Sequence, residues 1–183
     1  MTSLIKKCFY VFYLIVISFL LFYILSIWIT VFTFPYKDVS NFTIGADFGI
    51  HRGDIETAFY IALILTAISF IPILIGLLSY FENQSKIGGL KKCMFYTLII
   101  HSTILILYFI YRFRYSGYPI FTKQLITIAA IFLFDYFVNI IIFWILNKRV
   151  FIHIAILVIL AFAVRASFDL PSKLYLASDC EHY

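Results

Sequence analysis

Three polar residues sit deep inside apolar runs and are of types that can do chemistry: His101, Asp135 and Asn139. An imidazole and a carboxylate can exchange a proton, and a carboxamide can both donate and accept hydrogen bonds. Placing an ionisable side chain in hydrocarbon costs at least ~2.5–3.5 kcal/mol on insertion scales, so such a residue marks a site by default. Asp135 lies 12 residues from Lys123 and 13 from Lys148, as deep as its run allows. His101 lies nine residues from Lys92 and 11 from Arg112, also at mid-depth. Asn139 follows Asp135 by four residues, which places it on the same helix face. Ser102 and Thr103 follow His101 directly, on partly different faces.

A buried His101–Asp135 pair with Asn139 beside it has two readings. One is a proton relay or ion site. The other is a lock between two helices. Proton pathways usually supply several intramembrane groups, and this chain offers few, so the lock is the preferred reading. No metal site and no catalytic residue is expected. There is no HExxH, GxSxG, phosphate loop or pair of catalytic carboxylates, and no cofactor is implied. Phe and Tyr make 36 of the residues, but they are spread through every segment rather than gathered into a cofactor box.

The elements that must position these groups are membrane helices. Of 183 residues, 64% are hydrophobic and 13% charged, and the mean hydropathy is +1.04. Soluble domains average about 45–50% apolar and about 25% charged, so a single soluble core cannot absorb this much apolar surface. The expected fold is all-α, a multi-pass transmembrane helical bundle with five spanning segments at about 8–34, 57–81, 93–111, 125–146 and 150–168. The first, behind Lys6 and Lys7, is too long for a signal peptide and reads as a retained anchor. Pro35–Glu56 is the longest loop, with Gly45, Gly49 and Gly53 in a polar, turn-rich stretch. Pro72 and Gly76 should loosen the second segment. Glu82–Lys92, containing Gly88-Gly89, reads as a short polar loop. Tyr108, Tyr111, Arg112 and Arg114 form an interface anchor at the end of the third segment. Ser116-Gly117-Tyr118-Pro119 then signals a turn, so segments three and four form a hairpin that brings His101 and Asp135 to one level. The fifth segment is short: only 15 residues separate Arg149 from Arg165, about 22 Å of helix. His153, one turn past Arg149, reads as an interfacial residue, and Arg165 is in reach of Asp169. Residues 169–183 read as a polar tail on a single membrane domain, 1–183.

The net charge of +5 belongs at lipid headgroups rather than on nucleic acid. Cys8, Cys93 and Cys180 form no CxxC or metal spacing. With the N-terminus inside, Lys and Arg divide seven to seven between the two faces, so orientation rests on the first helix, which favours a cytoplasmic N-terminus.

The chain resembles the YbjO-type proteins, small multi-pass bacterial inner-membrane proteins of unknown function. The likeness rests on His51-Arg52 before the second segment, Gly117-Tyr118-Pro119-Ile120-Phe121 after the third, and Asp135 followed by Lys148-Arg149-Val150-Phe151. It covers about half the chain in short matches, and the fifth segment and tail depart from it. It implies a bacterial inner-membrane location and no assigned activity. The expected role is non-enzymatic: contact with a membrane protein partner or a second copy within the lipid bilayer, as in immunity to a membrane-inserting toxin or a modulatory subunit. The alternative is a small proton-linked transporter or channel subunit built on the His–Asp pair.

Overall fold

The computed structural model describes residues 2–33, 52–115 and 122–179. They form five helices: α1 (Thr2–Thr33), α2 (Arg52–Asn83), α3 (Lys86–Tyr115), α4 (Thr122–Ile145) and α5 (Val150–Asp179). The protein is all-α, with no strand among the described residues. Each helix contains a stretch long and apolar enough to cross a membrane: Leu4–Thr30, Ile55–Asn83, Lys86–Arg114, Gln124–Ile145 and Val150–Asp169. Helices suit this solvent because they satisfy every interior backbone hydrogen bond within the segment. The chain is therefore a multi-pass membrane protein.

The polypeptide divides into two compact units, residues 1–66 with 149–183, and residues 67–148. In the first, α1 and α5 run side by side in the same direction. The Tyr13 hydroxyl meets His153 Nδ1 at 2.8 Å near one end, and Trp28 Nε1 donates to Ser167 Oγ at 3.2 Å near the other. The opening half of α2 joins them where Ser26 Oγ donates to the carbonyl of Ala58 at 2.8 Å and Phe59 packs edge-on against Phe19.

In the second unit the later half of α2, α3 and α4 meet. Pro72 stands inside α2, and the helix continues through it. Past Pro72, α2 approaches α3 at Gly76 and Gly89. A Cβ on Gly76 would fall 2.7 Å from the Gly89 carbonyl oxygen and 2.8 Å from Cys93 Cβ; one on Gly89 would fall 2.7 Å from the Gly76 carbonyl oxygen. Only glycine lets two backbones come this close. The Phe143 ring of α4 closes over the crossing, 2.8 Å from either absent Cβ.

The structure redraws several boundaries. The polar loop expected at Glu82–Lys92 shrinks to Gln84 and Ser85. Gln84 ends α2 in the left-handed region (φ 54°). The Ser85 hydroxyl then accepts the Gly88 N–H at 3.1 Å, and its carbonyl accepts the Gly89 N–H at 3.0 Å. This N-cap starts α3 at once, so Gly88 and Gly89 are helical. α4 ends likewise on a left-handed Asn147 (φ 62°), with Lys148 N–H bonded to the Ile145 carbonyl.

The fifth segment runs past Arg165, as expected at 150–168. It forms a 30-residue helix whose apolar portion, Val150–Asp169, has 20 residues, about 30 Å. Arg165 Nε donates to Asp169 Oδ2 at 3.2 Å, one turn on, and its side chain is 78% exposed. The charge is thus neutralised locally and turned outward, so it does not end the helix. The stretch expected as a polar tail is helical through Asp179. α2 also begins earlier than expected, at Arg52, taking the last residues of the anticipated Pro35–Glu56 loop. The rest of that loop, the Ser116–Pro119 turn and Cys180 lie outside the described residues.

Candidate functional site

The site is a ladder between α3 and α4. A helix returns to one face about every four residues, and the buried face of α3 carries Gly89, Cys93, Thr97 and His101 in steps of four. The facing side of α4 carries Asp135, Asn139 and Phe143, also in steps of four. The helices are antiparallel, so each step up one is matched by a step down the other. His101 meets Asp135, Thr97 meets Asn139, and the Gly89–Cys93 turn meets Phe143.

At the top rung His101 Nε2 lies 2.9 Å from Asp135 Oδ2. His101 is 6% exposed and Asp135 3%. The imidazole lies flat on the Phe132 ring, with centroids 3.8 Å apart and planes within 3°. The Tyr136 ring meets it edge-on at 5.3 Å. Phe132, Asp135 and Tyr136 lie within little more than one turn, so α4 fixes the plane, the face and one nitrogen of the imidazole.

One rung down, Asn139 Nδ2 donates to Thr97 Oγ1 at 3.0 Å. The Thr97 hydroxyl spends its own hydrogen on the Cys93 carbonyl, one turn back, at 2.9 Å. Asn139 is fully buried and Thr97 is 1% exposed. Three buried atoms of the ladder have no hydrogen-bond partner: His101 Nδ1, Asp135 Oδ1 and Asn139 Oδ1. Buried polar atoms are usually paired, so the ladder holds one donor-or-acceptor and two acceptors beyond those that join the helices.

The ends of this unit are also closed by polar contacts. Lys86 Nζ donates to the Leu146 carbonyl, and Asn147 Nδ2 donates to the Tyr80 hydroxyl. At the far end Tyr108 donates to Gln124 Oε1 at 2.8 Å. The tyrosine expected to anchor α3 at the interface therefore also ties it to α4.

His101, Asp135 and Asn139 thus come together as the sequence implies. Ser102 and Thr103 do not join them: both are exposed, and Thr103 returns its hydroxyl to the Ile99 carbonyl. Sequence reasoning missed Thr97. Its signal was the four-residue step back from His101, which opposes Asn139 once the hairpin register is set. His153 sits near the start of α5 and is also more engaged than an isolated interfacial residue, through its bond to Tyr13. Among the described residues no group of three or more His, Cys, Asp or Glu side chains is placed to hold a metal.

The fold and this ladder define a multi-pass membrane protein with an internal polar seam. Comparison with protein-family models, with curated proteins and with solved structures finds no match.

Proposed function

We propose that this protein is a non-enzymatic inner-membrane protein that acts through contacts with a membrane partner, either another protein or a second copy of itself. The observation that carries this reading is the use made of the two ionisable groups. His101 and Asp135 are turned on each other, and the imidazole is clamped by Phe132 and Tyr136. Such a pair fixes the register of α3 against α4 and makes the hairpin a stiff unit for others to pack on. Surface is plentiful: over their most apolar stretches only 17% of α3 and 11% of α5 is buried. Immunity to a membrane-inserting toxin and modulation of a larger membrane assembly both suit a protein of this kind, and neither calls for a cofactor. The likeness to YbjO-type proteins supports a bacterial inner-membrane location, and Lys6 and Lys7 at the start of the first span support a cytoplasmic N-terminus.

A second reading is favoured by the unpartnered atoms His101 Nδ1, Asp135 Oδ1 and Asn139 Oδ1. A proton-linked transporter or channel subunit would use such atoms to pass a proton along the ladder. Purified protein in proteoliposomes separates the two. Under an imposed pH gradient, wild type and Asp135→Asn should show the same background leak, and cross-linking in native membranes should trap one defined partner. A proton flux in wild type that Asp135→Asn abolishes would sink the partner reading and establish transport.

A further inference from the structure

The first unit has an open groove of about 390 Å³ at the amino-terminal ends of α1 and α5. It is lined by Ile5, Lys6, Phe9, Tyr10, Tyr13 and His153. Its floor is rigid. The Tyr13 hydroxyl bonds His153 Nδ1 at 2.8 Å, the rings of Tyr10 and Tyr13 stack at 6.1 Å, and the imidazole stands edge-on to both. One flank is apolar and uncovered, with Phe9 74% and Ile5 58% exposed. The other carries the exposed ammonium of Lys6. We infer that this groove binds one anionic phospholipid, with its headgroup phosphate at Lys6 beside the Tyr13–His153 bridge and an acyl chain along Phe9 and Ile5.

Charge and depth carry the assignment. α1 contains no acidic residue, and α5 contains none before Asp169, so the charges at this end are basic: Lys6 and Lys7 on α1, and Arg149 just before α5. The groove opens where the Leu4–Thr30 stretch begins, at headgroup level, and its aromatic rings are of the kind that settle at that level. A water-soluble anion has no use for the exposed Phe9 and Ile5 flank, whereas a lipid covers it. The bound lipid would also hold α1 to α5 at the end opposite the Trp28–Ser167 contact.

The test uses the full chain in a mild detergent, titrated with dioleoylphosphatidylglycerol or dioleoylphosphatidylcholine and read as lipid retained per protein by native mass spectrometry. Wild type should retain one phosphatidylglycerol in preference to phosphatidylcholine. Lys6→Gln should weaken that preference roughly five-fold, the equivalent of about 1 kcal/mol for one basic side chain at an anionic surface. Tyr13→Phe, which removes the bridge but keeps the ring, should weaken it as well. Lys92→Gln removes an exposed membrane-edge lysine of the other unit and should leave the preference unchanged. An equal loss in Lys92→Gln and Lys6→Gln would reduce the effect to general attraction between charges and overturn the site. So would displacement of the lipid by inorganic phosphate at millimolar concentration, which would make the groove an anion site rather than a lipid site.

Discussion

At the scale of single residues, the ladder between α3 and α4 sorts polar groups by the work they do. His101 and Asp135 are coupled directly, and removing either leaves the other buried alone. Interhelical hydrogen bonds in membranes average about 0.6 kcal/mol and reach about 1.7, and this one is buried on both sides. A double-mutant cycle with His101→Ala and Asp135→Ala, read by unfolding in mixed micelles, should therefore give a coupling of about 1–2 kcal/mol; a coupling near zero would dissolve the lock. Thr97 and Thr103 provide a sharper contrast. Both return a hydroxyl to the preceding turn, but only Thr97 also accepts from Asn139. Thr97→Val should cost about 1 kcal/mol and Thr103→Val close to nothing in the same assay. The His101–Asp135 pairing was legible in the sequence because two rare ionisable residues at matching depth on consecutive antiparallel helices have few ways to avoid each other. Thr97 was not, because threonine is ordinary in such helices and its role appears only once the register is fixed.

At the scale of elements, what decides the second unit is how closely its helices approach. The Gly76–Gly89 crossing brings two backbones together under the Phe143 ring, and an added Cβ at either position collides with a carbonyl at 2.7 Å. Backbone cannot swing aside as a flexible side chain can. Gly76→Ala and Gly89→Ala should each destabilise the protein by roughly 1–3 kcal/mol, the usual cost of overpacking. Gly88→Ala is the internal control: its Cβ would meet only the Ser85 side chain, at 3.2 and 3.4 Å, and alanine gains helix propensity. It should lie within about 0.5 kcal/mol of wild type by thermal unfolding. A Gly88→Ala variant as damaged as Gly89→Ala would mean that the strain is not at the crossing. The same stretch marks where sequence reading failed. Gln84, Ser85, Gly88 and Gly89 have loop composition, yet one serine cap converts the second half of the run into helix. α5 was read more nearly: the segment expected at 150–168 runs past Arg165, which pairs with Asp169 one turn on and is turned outward.

At the scale of the whole molecule, parity is the property that constrains function. The described residues hold five helices long and apolar enough to cross; if each crosses once, the two ends of this chain fall on opposite faces of the membrane. The balanced seven-to-seven division of Lys and Arg does not choose between the two orientations, so a direct measurement carries weight. Topology reporters fused in turn to the two ends should report opposite sides, with the amino-terminal fusion cytoplasmic and the carboxy-terminal one external. Reporters on the same side would require one helix to lie in the interface or re-enter, and α5 is the first to suspect because least of its apolar stretch is buried. The outcome also bears on what the protein contacts. With the amino-terminal end cytoplasmic, the Lys6 groove would face the cytoplasmic leaflet, and Arg112 and Arg114 mark the last turn of α3. On the proposed partner reading, a toxin or subunit would pack on the exposed side of α3. Its cross-links should fall there, while Lys6→Gln should shift lipid retention and leave the cross-links in place.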